Sequence, residues 1–592
     1  MADSPHYSPT VARQTQVRPY RRRAGDPLKR PLRIFTLDPG AARIDAATTT
    51  VDVPWEPLGP GPEGALFYID PRDGDDDNAG VDLDDPRLLI ACGVEPSVSD
   101  HRFHQQMVYA VCARLYAQFQ YALGRVLSWG FDASDQHGRL CLRPHDRASG
   151  ANAVYQKNAK RISFGYFENP GEGIGRTSPK GQLFTCLSHD IIAHEFTHAL
   201  LDGLRSHFMV PTASDVLGFH EGFADIVAVF QHLLHGKVVE AQLRRVDGSL
   251  DQAVMLARIA EQFGTVTQGR ALRCAVSTDV VKYRPDMAPH DMGSVLLSAV
   301  FAAFLDVYRR RTEPYLRLAY RPPSGYLTAE LVTFLADRAA KLAEHFLSMC
   351  IRAIDYCPPV DLHFGEYLRA LITVDRELVP DDPWNYRDAL ITAFAARGIY
   401  PGGVGQLTED ALVWKPPARF LEPVTALHFK NLRFAGDPSL PVDAGEAVRQ
   451  AEELWTYASR PHVTAEFGLA EPGDDVDPCC VESIRTTRRG GPDGQVLFDL
   501  VAEITQRRRV VDPATGMESK FFGGCTVIIG PEGEIRYIIS KNVRNQARLD
   551  RQLAFQRGSD YWETTGDKYT LRGYANELAH RTGREWPPGR AE

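Results

Sequence analysis

The segment from Ile191 to Leu200, IIAHEFTHAL, constrains this chain more than any other ten residues. His194 and His198 are four positions apart, so on an α-helix both imidazoles lie on one face and can bind one metal ion. Glu195 stands beside that pair. No proline or glycine interrupts residues 188–202, which predicts a buried helix. The layout indicates two metal ligands and a carboxylate base for a water molecule.

A third ligand would separate a metal site from a metal-free core helix that happens to carry two histidines. The chain has 18 histidines among 592 residues, and a chance HExxH is expected in roughly a few hundredths of chains of this size. Glu221 lies 23 residues after His198, in the apolar segment GFHEGFADIVAVF. An unpaired carboxylate is costly there, and a metal ion would offset that cost. Asp225, one helical turn further on, could accept the remaining N–H of a metal-bound imidazole.

Composition excludes few classes of protein. A hydrophobic content of 44% and a charged content of 24% are ordinary for a globular protein. The net charge of −9 gives no electrostatic case for a nucleic-acid partner. Residues 1–30 lack a secretory signal, and no apolar run approaches the ~20 residues that span a bilayer. Together with ten scattered cysteines and no CxxC, this predicts a cytoplasmic protein without a membrane span.

Hydrophobic periodicity and turn signals divide the chain into four parts. Residues 1–60 are predicted to be a disordered basic arm and lead-in, because their arginines follow no apolar period. Residues 61–250 are predicted to form a mixed lobe with the HExxH and Glu221 helices, and residues 251–405 a helical lobe. Residues 410–592 are predicted to form a separate small α+β domain whose partner and role stay unknown. Three finer predictions are a strand at Leu88–Ala91, a helix at Ala253–Phe263 and a helix at Lys568–Arg581.

Over about residues 100–400 the chain resembles the thermolysin family of metalloendopeptidases, which belong to the gluzincins. The pattern HExxH followed by a helix bearing E-x-x-x-D carries this resemblance. It implies an α+β, two-lobed metallopeptidase with a mixed N-lobe that contains a sheet, a zinc helix between the lobes and a helical C-lobe. It also implies one Zn²⁺ held by His194, His198 and Glu221, Glu195 as general base, and a peptide or protein substrate.

Other segments resemble the family in the same order along the chain. Asp190 precedes His194 by four residues, as an aspartate does in the family, and with Asp225 it is expected to support the ligands. Asn152 and Ala153 precede the strand RISFGYF, which in the family lies along the cleft, and the resemblance implies that both bind substrate peptide groups. It further implies that Arg273 binds a substrate carbonyl and that His290 donates to the oxyanion of the tetrahedral intermediate.

The chain departs from the family at two places. Phe208 and Met209 occupy the neighbourhood of the family's oxyanion tyrosine, so His207 or His290 would have to suffice. The acidic cluster of the family's calcium sites is absent from residues 238–245, so no calcium ion is expected. Two alternatives stay open beside the zinc peptidase. One is a zinc hydrolase of a non-protein amide, and the other is a catalytically silent gluzincin-fold interaction protein.

Overall fold

The computed structural model is 44% helical and 18% strand, which confirms the predicted α+β class. It describes residues 6–39, 47–72, 80–136, 138–169, 178, 180–246, 250, 280–319, 327–434, 436–490 and 495–573, and the backbone of 258–259 and 273–274. The helices are α1 Pro9–Arg13, α2 Pro86–Ala91, α3 His101–Leu123, α4 His189–Leu204, α5 Ser214–Leu233, α6 Gly236–Arg245, α7 Pro289–Leu318, α8 Ala329–Ala353, α9 Phe364–Leu378, α10 Tyr386–Ala396, α11 Glu409–Leu412, α12 Ala444–Ala458, α13 Pro461–Glu466 and α14 Gln546–Gly558.

Within the described residues the strands form five sheets of two to six strands each. They are β1 Lys29–Phe35, β2 Thr48–Pro54, β3 Phe67–Ile69, β4 Leu140–Arg143, β5 Ala153–Gln156, β6 Arg161–Phe164, β7 Tyr166–Glu168, β8 Gln182–Phe184, β9 Arg258–Ile259, β10 Arg273–Cys274, β11 Cys480–Gly490, β12 Val496–Val511, β13 Glu518–Ile529, β14 Ile535–Lys541, β15 Trp562–Thr565 and β16 Lys568–Leu571. Two predicted elements are wrong, since Leu88–Ala91 lies in α2 and Lys568–Leu571 is a strand. Of the predicted helix Ala253–Phe263, residues 258–259 are strand, and the remainder lies outside the described residues.

The N-terminal basic segment is ordered where the structure describes it, so the predicted disordered arm is wrong there. Strands β1 and β2 pair antiparallel, and Leu32 and Ile34 are buried in the main core. The arginines hide this alternation because Arg30, on the buried side of β1, is itself only 1% exposed. Its guanidinium donates to the Leu83 and Glu56 carbonyls and pairs with Asp84, which satisfies the charge inside the fold.

Sheet order determines which strand lies nearest the HExxH helix. The order is β3-β4-β6-β5, so β5 is the edge strand and β6 is enclosed between β4 and β5. The segment RISFGYF was expected to form the cleft edge, but it is divided between β6 and β7, and β7 pairs with β8. Helix α4 packs against α3, α5 and β5. The HExxH helix therefore lies between the sheet and the helices that follow it.

Helix α7 is the longest helix of the part described. By length and composition alone it could cross a membrane, but 67% of its apolar window is buried in the fold, as in the core helix of a globular protein. Its neighbours are α5, α8 and α10. This packing explains why residues 293–305 form the most apolar helical stretch of the sequence.

Residues 410–573, which were predicted to form a separate small α+β domain, pack against the rest of the protein. Their sheet runs β11-β12-β13-β16-β15, and β14 adds to β13. Successive residues of β13 point into different cores: Ile528 joins the main core, while Val527 and Ile529 pack in a second core with α12. Because both faces of this sheet are buried, the tail is fused to the body of the protein. We call residues 410–573 the tail sheet region.

The first described residues bind this tail sheet region. Tyr7 forms a β-bridge with Val481, and the Ser8 amide donates to the Val481 carbonyl at 2.9 Å. The His6 ring stacks on Trp455 with ring centroids 3.6 Å apart, and Val11 is fully buried in the second core. The start of the chain thus completes the core of its far end.

Arg205, the residue that ends α4, joins the HExxH helix to the tail sheet region. Its guanidinium donates to the Ile354 carbonyl at 2.6 and 3.1 Å and to the Thr526 hydroxyl at 3.0 Å. It also pairs with Glu503 at 3.1 Å, and both side chains are at most 4% exposed. The tail sheet region therefore supports α4 from its C-terminal end.

We expect Arg205→Ala to lower the free energy of unfolding by about 3–5 kcal/mol, because it leaves the buried Glu503 without this partner. Lys341→Ala is the matched control, since it breaks the Lys341–Asp337 pair, whose side chains are 66% and 52% exposed. Exposed pairs contribute about 0–1 kcal/mol. Urea unfolding followed by tryptophan fluorescence measures both changes. Equal effects of the two variants would contradict a supporting role for Arg205.

Candidate metal centre

Three predicted ligands from α4 and α5 converge at one point. The Nε2 atoms of His194 and His198 lie 3.1 Å apart, and the Glu221 carboxylate lies 3.3 Å from the first and 3.6 Å from the second. A tetrahedral ion with bonds of about 2.0–2.1 Å separates its donor atoms by about 3.3 Å. The three buried side chains therefore have the spacing of one face of a tetrahedral site, and they could hold a metal ion.

Each imidazole of this group is oriented through its other nitrogen. The Nδ1 atom of His194 lies 2.9 Å from Asp225, where the sequence placed a supporting carboxylate. The Nδ1 atom of His198 lies 2.7 Å from Nδ1 of His220. Burial lowers the pKa of His220 to about 4, although the charges of Glu221 and Asp202 act in the opposite direction. A neutral His220 can accept a hydrogen bond from Nδ1–H of His198, which directs Nε2 of His198 to the metal position.

His220 is a functional residue that the sequence analysis missed. It directly precedes Glu221, and its side chain is 1% exposed. The sequence did contain a signal, because this histidine interrupts an otherwise apolar segment directly before a predicted ligand. Only the approach of α4 to α5 shows that this imidazole meets His198.

The Glu221 carboxyl stays charged although it is buried. Burial alone would raise its pKa, but the imidazoles of His290, His198 and His194 hold the pKa well below the usual range. His290, in the first turn of α7, contributes through Nδ1, which lies 2.9 Å from Glu221. The structure thus brings the predicted oxyanion donor to the ligand group.

Two glycines set the distance between α5 and α7. A Cβ atom on Gly222 would lie 2.8 Å from the Gly293 carbonyl oxygen, and one on Gly293 would lie 2.7 Å from the Gly222 amide. The backbones of the two helices are therefore in direct contact. Gly222 follows Glu221, and Gly293 lies about one turn after His290, so this contact places the His290 ring against the Glu221 carboxylate.

Glu195 contacts the edge strand β5. Its Oε2 atom accepts from the Tyr155 amide at 2.9 Å, and its side chain is 2% exposed. The hydroxyl of Tyr155 donates to Asp202, two turns further along α4, at 2.8 Å. Lys157 also donates to Asp202, at 2.6 Å. Tyr155 therefore fixes β5 to α4 at two points, one of which is the predicted general base.

The other predicted site residues lie at different distances from this group. Ala153 lies on β5, whose Tyr155 amide donates to Glu195, and Asn152 directly precedes the strand. Arg273 pairs with Ile259 through its backbone, but its side chain lies outside the described residues. His207, one of the two histidines suggested to assist the oxyanion, contacts Glu482 of the tail sheet region at 3.3 Å.

Asp190, which the sequence predicted to support the ligands, lies in the first turn of α4. Its carboxylate lies 2.5 Å from Nε2 of His232, in a second group with His189. A third group consists of His101, His104 and His145, but His104 already contacts the Val98 carbonyl and His145. Burial lowers the pKa of both His104 and His189 to about 3.

No protein-family model matches this chain, and no curated protein matches it.

With Zn²⁺ as the probe ion, we expect Asp225→Ala to raise the dissociation constant of the candidate site about 10–100-fold, because the His194 ring loses the acceptor that orients it. Asp225→Asn keeps an oxygen acceptor, so its loss of affinity for the metal ion should be smaller. Asp337→Ala, on the exposed face of α8, is the control. Competition with a chromophoric chelator measures the constants. Unchanged zinc affinity in Asp225→Ala would show that this carboxylate does not orient a ligand.

Gly293→Ala should separate α5 from α7 and cost about 1–3 kcal/mol, since a methyl group has no space between the two backbones. Gly236→Ala is the matched control, because a Cβ atom there meets nothing within 4 Å. Thermal unfolding compares the two, and the zinc dissociation constant reports on the site. If both substitutions were equally tolerated, the helix contact would not determine the geometry of the site.

Proposed function

We propose that this protein is a zinc-dependent peptidase in which His194, His198 and Glu221 hold the metal ion and Glu195 is the general base. The observation that carries the proposal is the convergence of two imidazoles and one carboxylate at 3.1–3.6 Å, with a second carboxylate one residue from the first ligand. A purely structural zinc site has four protein ligands, whereas three ligands leave a position for water or substrate.

The donor set favours zinc over calcium or magnesium. Two imidazoles and one carboxylate suit zinc, whereas calcium and magnesium prefer oxygen ligands in larger number. Asp225 and His220 orient the two imidazoles, as such ligands require. When bound, a zinc ion supplies Lewis acidity toward a carbonyl oxygen and acidifies water.

The arrangement around α4 supports the two-lobed architecture that the resemblance implies. Helix α4 has the β5 edge on one side and α5 on the other. Helix α7, which brings His290, belongs to the helical part that follows. On this proposal the cleft runs between the β5 edge and the N-terminal end of α7.

An extended peptide would bind along the free edge of β5. The amide of Tyr155 points toward α4, where it donates to Glu195. Backbone groups two residues apart in a strand point to the same side, so the amide and carbonyl of Ala153 face this edge as well. The Asn152 carbonyl instead accepts from the Gly165 amide, so Asn152 would contact a substrate through its side chain. This geometry supports β-strand addition as the binding mode.

The residues of the chain then divide the chemical work between them. Glu195 accepts a proton from the attacking water and passes it to the leaving amine. His290, whose Nδ1 lies beside Glu221, would donate from Nε2 to the oxyanion, a contribution of about 10²–10³ in rate for donors of this kind. Arg273 would bind the neighbouring substrate carbonyl.

One observation favours the second candidate, a zinc hydrolase of a small non-protein amide. His194, Glu195, His198 and Glu221 are at most 3% exposed, and the His290 side chain is 24% exposed. Such burial suits a small substrate better than a folded protein. Under either function Glu195 keeps the same role, so one variant tests the chemistry and the choice of substrate separates the two candidates.

We expect Glu195→Gln to keep one zinc ion at this centre and the fold, but to lose about 10²–10⁴ in the rate of hydrolysis, because the amide cannot take the proton. Glu330→Gln, exposed in the first turn of α8, is the control. The measurement combines elemental analysis with turnover of fluorescent casein, a peptide library and a panel of small amides.

Turnover of peptides supports the peptidase, and turnover of small amides alone supports the second candidate. Full activity of Glu195→Gln would show that the proposed base is wrong. Metal binding without turnover on any substrate would instead favour the catalytically silent interaction protein.

A further inference from the structure

A second group of metal-binding side chains lies where the first turn of α4 meets the end of α5. His189 and Asp190 come from α4, and His232 comes from α5. One ligand atom of each lies within 4.8 Å of those of the other two. His235, just after α5, has its ring centroid 5.3 Å from that of His189. The four side chains are 1%, 4%, 2% and 6% exposed.

Hydrogen bonding between protein groups leaves part of this group unsatisfied. The Asp190 carboxylate meets His232 at 2.5 Å. The Nδ1 atom of His189 and the Nε2 atom of His235 are buried, and neither finds a hydrogen-bond partner within the described part of the chain. A buried polar atom without a partner costs about 1–3 kcal/mol. Two such atoms beside a carboxylate indicate that a ligand completes the group.

The donor types narrow down what that ligand is. Two imidazoles and one carboxylate lie close enough together to bind one ion. The His235 ring, 5.3 Å from that of His189, would supply the fourth donor that a tetrahedral site needs. First-row divalent transition ions prefer imidazole, whereas calcium takes six to eight oxygen atoms. Arg114 lies near enough to His189 and His235 to act on them electrostatically, so the negative charge of Asp190 is needed to hold a cation here.

We propose that His189, Asp190 and His232, with His235 as the fourth ligand, bind a second zinc-class ion with a structural role. Four protein ligands leave no open position, which is typical of structural rather than catalytic sites. The ion would clamp the first turn of α4 to the last turn of α5. These two helices supply every ligand of the first metal centre, and Asp190 lies only one turn, about 6 Å along the axis, from His194.

Metal counting on the full chain tests this second site separately from the proposed function. The protein is stripped with a chelator, dialysed against Zn²⁺ and analysed by mass spectrometry, with circular dichroism to verify the fold. We expect two ions per chain in the wild type, one in His232→Gln, one in His198→Gln and none in the double variant. His462→Gln, an exposed histidine of α13, is the control and should keep two ions.

The possible outcomes separate the two metal sites. A single ion that His198→Gln loses and His232→Gln keeps would overturn the second site and leave the first. A single ion with the reverse pattern would support the second site and contradict the first. Two ions that both survive in His232→Gln would overturn the second site. If His232→Gln does not fold, His189→Gln is used instead. The inference is also overturned if the wild type binds one ion and His198→Gln binds none.

A Co²⁺ probe adds an independent readout of the ligand type. With the first centre removed by His198→Gln, a tetrahedral nitrogen–oxygen site gives intense visible absorption bands that disappear in the double variant with His232→Gln. Absence of these bands in His198→Gln at saturating Co²⁺ would overturn the proposed four-ligand site.

Discussion

The contact between the backbones of α5 and α7 at Gly222 and Gly293 determines most of the geometry described above. Any larger residue at either position would hold the helices apart. At this distance His290 reaches Glu221, and Glu221 in turn reaches both imidazoles of α4. The geometry of the site therefore depends on the absence of side chains at these two glycines, which lets the helices approach each other. Close-packed interiors transmit such a change directly, because the surrounding side chains have no free volume to absorb it.

Around this contact, buried charges are arranged in pairs. Glu221 meets three imidazoles, Asp225 meets His194, and Asp202 meets Lys157 and Tyr155. Each carboxylate would be unstable alone in an apolar interior. The tail sheet region continues the pattern through Arg205 and Glu503. Removing one residue of a pair leaves its partner buried without a counter-charge. Because these pairs meet on α4, the candidate metal centre and the tail sheet region are coupled through this helix.

The sequence predicts the metal centre better than it predicts the chain around it. Spacing along a helix is a local property, so the 3.6-residue period places His194 beside His198 and Glu221 beside Asp225. That the two pairs belong to one site was implied by the family resemblance. The partners of His220 and Asp190 depend on how two helices cross, which no single segment encodes. The N-terminal strands were missed because arginines that end up buried interrupt the apolar alternation of β1. The tail seemed independent because its strands alternate apolar residues on both faces, and periodicity does not show what each face will meet.

The position of Val11 and Tyr7 has a consequence for how the polypeptide is made. A chain leaves the ribosome N-terminus first, and its early parts usually fold as they emerge. Here residues 6–11 contact Trp455 and Val481, which are synthesised when most of the chain is already outside. Until then an apolar valine and an unpaired strand remain exposed to chaperones and proteases. Residues 6–11 therefore dock only after β11 has been synthesised, and a polypeptide that ended before β11 would leave Tyr7 without its partner Val481.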